Sequence, residues 1–260
     1  MPRFVAIKSR IRHFFLEIDE YSIHSPFLYD LYGRCFKKIS RQDHQAFIEE
    51  LRHEALKDPT EINTGKFGAA SKSGLNVKSI KKIARNGNTP SRYSKLFMRL
   101  IRYFDTRNML ELGTSLGLNT LYLAAAGSDR QVFSFEGNTE LSTRARKNFE
   151  RARASNIRLI EGNIDDTLPA FLSEGIRPGF VYIDANHRFD PVIKYFQMLK
   201  YSRAEPAVFV LDDIHWSDEM DAAWNRIRID PEVRADLDIG PMGIIIFKAG
   251  LPKISACLAF

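Results

Sequence analysis

From residue 107 onward the chain alternates short, continuous apolar runs with stretches of helical periodicity, and this alternation constrains its fold more than any other feature. Strands of a parallel sheet that is buried on both faces have unbroken apolar runs, and the helices between them cover the two faces. We therefore expect an α/β fold with a doubly wound, mostly parallel sheet and helices on both faces. The runs are "NMLELG", "QVFSFE", "IRLIEG", "GFVYIDA" and "AVFVLDD".

The last apolar segment of this region, "LDIGPMGIIIFKA" (237–249), contains two short strand candidates separated by Gly-Pro and Gly. Such a segment predicts a closing hairpin that gives the sheet an antiparallel last strand and, with the five runs, seven strands. Ser217 is the predicted N-cap of the helix that precedes this segment and contains Trp224.

The pattern before residue 107 predicts a separate N-terminal part. Residues 1–88 are expected to be a helical, basic extension, and residues 89–260 the main domain, entered through a helix. Within the extension, an apolar stripe at helical spacing covers residues 4–18. The segment "INTGKFGAASKSGLN" (62–76) is rich in Gly, Ser and Ala and predicts a mobile loop. Whether that loop is a lid stays open.

Composition is that of an ordinary globular protein. An apolar fraction of 44% in 260 residues suffices for one substantial core. The apolar runs are strand-sized, which predicts no transmembrane helix, and the basic N-terminus lacks the apolar core and cleavage site of a secretory signal. Two cysteines far apart in sequence give neither a disulfide framework nor metal-site spacing. We therefore expect a cytoplasmic protein.

Positive charge is concentrated in one segment. The chain has a net charge of +6, and the interval between Glu61 and Asp105 contains ten basic residues and no acid. Such a segment favours an anionic partner, such as nucleic acid, a phosphate compound, coenzyme A or a membrane surface. A solvated basic face without a partner has the same pattern. The ten residues are Lys66, Lys72, Lys78, Lys81, Lys82, Arg85, Arg92, Lys95, Arg99 and Arg102.

The strongest local signal is "MLELGTSLGLNTLYLAAAG" (109–127), in which a strand enters a turn with Gly113 and Gly117 and continues into a helix. In a doubly wound sheet, ligands bind at the carboxyl ends of the strands, and glycines there let the backbone approach the ligand. The dinucleotide fingerprint does not fit, because it requires glycine at the position of Ser115. The observed form is an acidic residue, Glu111, followed by Gly-x-x-x-Gly.

This form resembles motif I of the class I methyltransferases that use S-adenosylmethionine (SAM), which have a Rossmann-like fold. The resemblance implies that Glu136, at the end of the second strand, accepts hydrogen bonds from the ribose hydroxyls, although a solvent-facing strand-end acid is the alternative. It also implies that adenine lies against the chain after the third strand. The implied cofactor-binding residues are Glu111, Gly113, Thr114, Ser115, Gly117, Asn119, Glu136, Gly162, Asn163, Ile164, Asp165 and Asp184.

Aspartates follow the next two strands. Asp184 ends "GFVYID", and Asp212 and Asp213 end "AVFVLDD". If the two strands are neighbours, the three carboxylates converge at one side of the cofactor crevice. Carboxylates repel each other and are costly to desolvate, and no buried arginine is apparent. The pattern therefore favours a divalent cation such as Mg²⁺ bound by Asp184, Asp212 and Asp213.

These aspartates resemble those of the metal-dependent catechol and caffeoyl-CoA O-methyltransferases, which have an Asp after strand four and Asp-Asn after strand five. Asp213 departs from that Asn, but a related sugar-modifying branch carries Asp-Asp. His187 lies where the catechol and caffeoyl-CoA enzymes place a catalytic lysine, and Asn186 where the sugar-modifying branch has its base. The resemblance implies His187 and Asp184 as catalytic residues, with His187 taking the hydroxyl proton. A role in orienting the loop is the alternative for His187.

Three functions remain after these observations. The leading hypothesis is divalent-metal-assisted O-methylation of a small-molecule hydroxyl, whose acceptor is anionic if the basic segment binds it. The second is methylation of RNA, such as tRNA, held by the basic segment 66–102. The third is a non-catalytic binding module of the same fold. A homodimer is an assembly that the sequence leaves open.

Overall fold

A computed structural model of the chain describes residues 22–37, 45–65 and 77–260, together with the backbone of residues 17–18. Most of the apolar stripe at residues 4–18, most of the predicted mobile loop, and the basic residues Lys66 and Lys72 lie outside the described residues. The part of the stripe that is described, Glu17–Ile18, is a short strand.

The helices of the described residues are, in chain order, α1 (Pro26–Leu31), α2 (Ala46–Lys57), α3 (Ile80–Asn86), α4 (Ser91–Tyr103), α5 (Leu118–Ala124), α6 (Thr139–Arg151), α7 (Ile164–Leu172), α8 (Phe189–Ser202) and α9 (Asp218–Arg228). A π-helical stretch, Tyr32–Lys37, continues from α1. The strands are β1 (Glu17–Ile18), β2 (Glu61–Asn63), β3 (Val77–Ser79), β4 (Asn108–Leu112), β5 (Gln131–Glu136), β6 (Ile157–Glu161), β7 (Phe180–Ile183), β8 (Ala207–Leu211), β9 (Ala235–Asp238), β10 (Gly243–Phe247) and β11 (Ile254–Leu258).

These elements form the predicted α/β, Rossmann-like fold, with mostly parallel strands and an antiparallel hairpin near the C-terminus. The chain divides into two compact units, one of residues 1–38 and 177–260 and the other of residues 39–176. The division at residue 88 stays a prediction about domain organisation. None of the helices in the described residues is long and apolar enough to cross a bilayer.

In the unit of residues 39–176, β4, β5 and β6 form a parallel sheet with β5 in the middle. Phe133 and Phe135 of β5 pack against Phe171 of α7, with ring centroids 4.8 and 5.5 Å apart. β2 and β3 form a separate antiparallel pair. The prediction of a loop over residues 62–76 is therefore wrong at residues 62–63, which belong to β2 and pair with Val77 and Lys78 of β3. β2 and β3 are short and largely solvent-facing, so neither has an apolar run that predicts a strand.

In the other unit the strand order is β1-β11-β9-β10-β8-β7. β7 and β8 are parallel neighbours, as predicted, and β10 is antiparallel to both β8 and β9, which confirms the antiparallel last hairpin. Rings of Phe196, Phe209 and Phe247 pack together around the fully buried strands β8 and β10. β1 and β11 are additional strands, parallel to their neighbours, that the apolar pattern did not reveal.

Helix α9 begins as its sequence predicts. The side chain of Ser217 accepts a hydrogen bond from the backbone N–H of Met220, which satisfies one donor of the first turn. Acidic residues in the first turn and basic residues in the last turn complement the helix dipole. Trp216, directly before this cap, is half exposed.

Candidate functional site

The glycine loop, Gly113–Gly117, connects β4 to α5 and has positive φ angles at three of its residues. Its φ angles are +105° at Gly113, +51° at Ser115 and +74° at Gly117. A Cβ built on Gly117 would lie 2.5 Å from the ring of Phe149, and φ at this position is left-handed. Glycine is therefore required at residue 117 by both space and conformation. The loop presents backbone rather than side chains, as the approach of a ligand requires.

Glu111 lies beneath this loop and is fully buried. Its carboxylate accepts hydrogen bonds from Asn119 Nδ2 at 2.8 Å, Thr120 Oγ1 at 2.5 Å and Ser134 Oγ at 2.6 Å. The hydroxyl of Thr114 lies 2.5 Å from that of Ser134, so it joins the same network. Direct contact of Glu111 with a cofactor stays a prediction. In the structure its carboxylate ties the loop and the first turn of α5 to β5.

The Glu136 carboxylate, at the end of β5, is held by two backbone amides. Ser115 N–H donates to Oε2 at 2.8 Å, and Asn138 N–H donates to Oε1 at 2.9 Å. The predicted carboxylate and the glycine loop are thus brought together. A carboxylate held in this way retains lone pairs that can accept hydrogen bonds from the hydroxyls of a ribose.

Asn138 and Asn63 are site residues that the sequence reasoning missed. The Asn138 side chain caps α6 by accepting from Leu141 N–H at 2.9 Å and donates to the Asn63 carbonyl at 2.8 Å. Asn63 N–H in turn donates to the Glu140 carboxylate at 3.1 Å. The end of β2 is thereby attached to the start of α6. The cap could have been predicted from Asn-Thr-Glu after a strand, but its bond to Asn63 could not.

The predicted adenine side follows β6. Gly162 N–H donates to the Glu136 carbonyl at 2.9 Å, and φ at Gly162 is +130°. The Asn163 side chain caps α7 by accepting from Asp165 N–H at 3.2 Å, and Ile164 is the first helical residue. Contacts of these four residues with adenine stay a prediction.

Asn119 carries a polar atom without a partner. Its Nδ2 is bound to Glu111, but its buried Oδ1 has no hydrogen-bond partner among the described residues. Buried carbonyl oxygens are nearly always paired, so an unpaired one next to the glycine loop fits a donor group of a bound ligand. Together with the backbone conformation of the loop, it makes these residues suitable for SAM.

The acidic cluster, Asp184, Asp212 and Asp213, lies in the other unit, at the residues that follow β7 and β8. Ile183 and Leu211 are register partners, so Asp184 and Asp212 leave neighbouring strands at the same edge, and Asp212 N–H donates to the Ile183 carbonyl at 3.0 Å. Asp213 has a left-handed backbone with φ of +52°. Non-glycine residues in this region are uncommon and concentrate at functional sites.

Tyr182 is a further residue of this cluster that was not predicted. Its hydroxyl donates to Asp212 Oδ2 at 2.9 Å and lies 3.5 Å from Asp184 Oδ2. The ring is buried within β7, and a buried tyrosine hydroxyl needs a partner. Its position two residues before Asp184 was the available signal, since side chains at i and i+2 of a strand share a face.

His187 supplies the positive charge next to the acidic cluster. Its Nε2 lies 3.2 Å from Asp184 Oδ1, and the side chain is 13% exposed. Burial acts to lower the pKa of His187, but the Asp184 hydrogen bond and the charges of the three aspartates outweigh it and raise the pKa to about 9. The imidazole is therefore protonated at neutral pH and balances part of the carboxylate charge.

The charge of His187 balances only part of the negative charge of the acidic cluster. Burial and the proximity of Asp184 and Asp213 raise the pKa of Asp212 well above its ordinary value. Burial and Asp184 also raise the pKa of Asp213, although His187 opposes the shift. The donor chemistry thus suits a hard divalent cation, which prefers carboxylate oxygens. As the side chains stand, however, no group of three or more His, Cys, Asp or Glu in the described residues could hold a metal ion.

His215 lies close in sequence to the cluster but has its own partners. Nδ1 is 2.7 Å from Asp221 Oδ1 and Nε2 is 2.9 Å from Asp238 Oδ2. Burial acts to lower the pKa of His215, but these two carboxylates raise it overall. His215 therefore connects α9 to β9.

Comparisons with known proteins agree with these features. A family model described as "Methyltransferase domain" matches residues 110–214, from β4 to the residue after Asp213. The catechol O-methyltransferase of Niastella koreensis is 31% identical over 123 residues, which are 46% of this chain and 54% of that protein. Residues 110–214, which contain both the glycine loop and the acidic cluster, are therefore similar to a methyltransferase domain. The chain spans about half the length of the curated relative that it matches.

Solved structures of methyltransferases share the fold of this chain. The O-methyltransferase TomG from Streptomyces achromogenes, involved in tomaymycin synthesis and solved in complex with SAM, has a TM-score of 0.55 at 18% identity, covering 62% of this chain and 82% of TomG. The SAH-bound methyltransferase of Podospora anserina has a TM-score of 0.60 at 14% identity, covering 87% of this chain and 97% of that one. At such identities these similarities establish the fold alone.

Proposed function

We propose that the protein transfers the methyl group of SAM to a hydroxyl oxygen of a small molecule. The observation that carries this proposal is the Glu136 carboxylate fixed by the backbone N–H of Ser115, within the glycine loop. This arrangement supports the binding of a ribose-containing cofactor. The similarity to a catechol O-methyltransferase supports oxygen as the methyl acceptor.

The cofactor would be held by the residues of the unit 39–176. Glu136 would accept hydrogen bonds from the ribose hydroxyls, the glycine loop would contact the methionine part, and residues 162–165 would lie against adenine. Bound SAM supplies an activated methyl group on its sulfonium. The protein mainly has to align the acceptor with that group, and such positioning can lower a barrier by up to about 7–11 kcal/mol.

The acceptor hydroxyl would be handled by the acidic cluster and His187. We propose His187 as the group that takes the hydroxyl proton and Asp184 as the group that orients it. With its pKa raised to about 9, His187 accepts a proton readily only at alkaline pH or when the negative charge of Asp184 is offset. The same aspartate therefore controls how basic His187 is.

Asp184, Asp212 and Asp213 are the residues that we propose to hold a divalent cation such as Mg²⁺. A bound cation would supply Lewis-acid chemistry and lower the pKa of a hydroxyl that contacts it. The raised pKa values of Asp212 and Asp213 support this proposal, because they mark carboxylates that lack a compensating charge. The three side chains would have to turn towards a common point to bind it.

Calorimetric titration of SAM into the purified protein, with Mg²⁺ and with chelator, tests the cofactor proposal first. Micromolar binding is expected, followed by methylation of catechol-type hydroxyls. The absence of SAM binding in both conditions would refute the proposal. Binding without turnover of any hydroxyl compound would instead favour a non-catalytic binding module.

Methylation of RNA is a second candidate, favoured by the exposed basic residues Lys81, Lys82 and Arg85 on α3. Binding of tRNA would then fall steeply with salt, because each neutralised phosphate contributes about 0.7–0.9 to the slope of log K against log salt concentration. A flat dependence would leave the small-molecule acceptor as the better proposal.

A further inference from the structure

The loop between β7 and α8 contains a rare turn directly after Asp184. The backbone N–H of His187 donates to the carbonyl of Ala185 at 2.9 Å, and φ at Asn186 between them is +65°. This is a γ-turn with a positive φ at its centre, the form that is rare and strained. φ at His187 is also positive, at +35°, so two consecutive non-glycine residues are left-handed. Such a conformation persists only where surrounding groups hold it.

Both ends of this loop are fixed by other elements. Ile183, before the loop, is paired with Leu211 in the sheet. Phe189, the first residue of α8, donates its backbone N–H to the Glu219 carboxylate of α9 at 3.1 Å. These bonds determine where the loop begins and ends, but they do not reach the turn at residues 185–187.

The Asn186 side chain attaches the centre of the turn to α8. Its Nδ2 donates to the Tyr195 hydroxyl at 2.6 Å. Tyr195 lies in the second turn of α8 and is fully buried, so its hydroxyl has a fixed position. Asparagine also adopts a left-handed backbone more often than most residues do. Asn186 is therefore suited to the turn by its backbone and bound to the fold by its side chain.

The turn determines where the imidazole of His187 lies. His187 is the last residue of the turn, and its Nε2 lies 3.2 Å from Asp184 Oδ1. In the more common form of γ-turn, φ at the central residue has the opposite sign. A loop relaxed to that form would change the direction of the Cα–Cβ bond of His187 and so would break its contact with Asp184.

We propose that Asn186 is a positioning residue, whose hydrogen bond to Tyr195 holds the turn of residues 185–187 and thereby keeps the His187 imidazole beside Asp184. The inference rests on the proposed function, in which His187 takes the proton of the acceptor hydroxyl. It gives Asn186 and Tyr195 a role in turnover that requires no contact of either side chain with the acceptor.

Steady-state turnover of catechol with Mg²⁺ tests the proposal in the wild type, Asn186→Gly, Tyr195→Phe and the double variant. Glycine adopts the left-handed turn without strain but lacks the side chain, and phenylalanine keeps the ring but lacks the hydroxyl. Each single variant should lower kcat roughly tenfold to a hundredfold, because a small misplacement of a catalytic group has effects of this size. The KM for catechol should change little. The double variant should lose no more than either single variant, because both substitutions break the same bond.

Tyr201→Phe is the matched control, because Tyr201 lies on the same helix and is 78% exposed. Thermal melting of each variant shows whether it is folded. Wild-type kcat in Tyr195→Phe, or losses that add up in the double variant, would overturn the proposal. So would a raised KM with an unchanged kcat, which would mean that these side chains bind the acceptor.

Amide hydrogen exchange at His187, followed by NMR, tests the turn without turnover. This amide is bonded to Ala185 within the turn, so it should exchange faster in Tyr195→Phe than in the wild type. Equal exchange in the two proteins would overturn the positioning role, even if turnover fell. If the wild type does not methylate any hydroxyl compound, the proposed function fails, while faster exchange in Tyr195→Phe would still support the role of Asn186 in holding the turn.

Discussion

The backbone N–H of Ser115 donates to the Glu136 carboxylate over 2.8 Å, which joins the turn after β4 to the end of β5. Ser115 can do so because its backbone is left-handed, with φ of +51°. The glycine loop and the proposed ribose-binding carboxylate are therefore one hydrogen-bonded unit. A substitution in the glycine loop should therefore change the position of the Glu136 carboxylate, and a substitution of Glu136 should change the conformation of the loop.

Glu136→Ala should weaken SAM binding by roughly tenfold to a hundredfold. Hydrogen bonds to a charged group contribute about 1.5–3 kcal/mol, and the substitution removes the proposed ribose acceptor. It also leaves the Ser115 amide without its partner. Isothermal titration calorimetry measures the change. Glu161→Ala is the matched control, because Glu161 is the register partner of Glu136 on β6 and pairs with Arg146 at the surface. Similar losses in both variants would contradict the assignment.

Gly117→Ala should destabilise the protein by more than a change of backbone preference alone. The left-handed conformation costs a non-glycine residue about 1–2 kcal/mol, and the new methyl group would also collide with Phe149. Gly175→Ala is the control, because φ at Gly175 is +78° but a Cβ there meets nothing within 4 Å. Urea denaturation compares the two. Equal losses of unfolding free energy would show that the collision with Phe149 is relieved without cost.

Tyr182→Phe should lower both stability and turnover. The hydroxyl donates to Asp212, a buried carboxylate next to two others, and its removal leaves that carboxylate without a side-chain donor among the described residues. The expected loss is about 1–3 kcal/mol of unfolding free energy. Tyr201→Phe, at a tyrosine that is 78% exposed, serves as the control. Denaturation curves together with turnover measurements check the prediction, and unchanged values for Tyr182→Phe would show that Asp212 finds another donor.

Sequence pattern predicted the fully buried strands and missed two partly buried or very short strands of the sheet, β11 and β1. β8 and β10 are buried at every residue, so their apolar runs are unbroken. β11, "ISACL", is only partly buried and contains a polar residue, and β1 is two residues long. β1 is too short to be distinguished from a loop, and the apolar residues of β11 are interrupted by Ser255. Their pairing depends on partners that are distant in sequence, which no local pattern records.

In the candidate site, too, some residues could be predicted from local sequence and others could not. Prediction of the strands was enough to identify the residues at or after the strand ends as candidates. These are the glycine loop, Glu136 and the three aspartates. Tyr182 and Asn138 contribute through single hydrogen bonds, to Asp212 and to Asn63, that depend on how neighbouring elements are placed. The charge state of His187 could not be predicted either, because its raised pKa depends on a distance of 3.2 Å to Asp184.

Asp230→Asn should make the protein less stable at neutral pH and should matter less as the pH falls. Burial acts to raise the pKa of Asp230, but hydrogen bonds from the Glu232 backbone and from Lys200, 3.0 Å away, lower it overall. A lowered pKa in the folded state contributes stability that is present above the unfolded value of about 3.9 and is lost as pH falls through the folded value.

The expected loss for Asp230→Asn at pH 7 is about 1–3 kcal/mol, since Lys200 keeps Glu232 as a partner at 3.0 Å. Urea denaturation of both proteins from pH 7 to acidic pH measures how the gap in unfolding free energy changes. A gap that stays constant down to pH values well below about 3.9 would contradict the lowered pKa of Asp230.

Asp184→Asn and Asp213→Ala should abolish metal-dependent turnover while SAM still binds. Each substitution removes one of the carboxylates proposed to hold a divalent cation, and neither lies in the glycine loop that is proposed to contact the methionine part of SAM. Turnover of catechol with Mg²⁺ and with chelator measures the effect, and calorimetry follows SAM. Asp218→Asn is the control, because Asp218 is exposed in the first turn of α9. Turnover in chelator by the wild type and by both variants would refute a metal at the acidic cluster, and His187 would then be the cation that stabilises it.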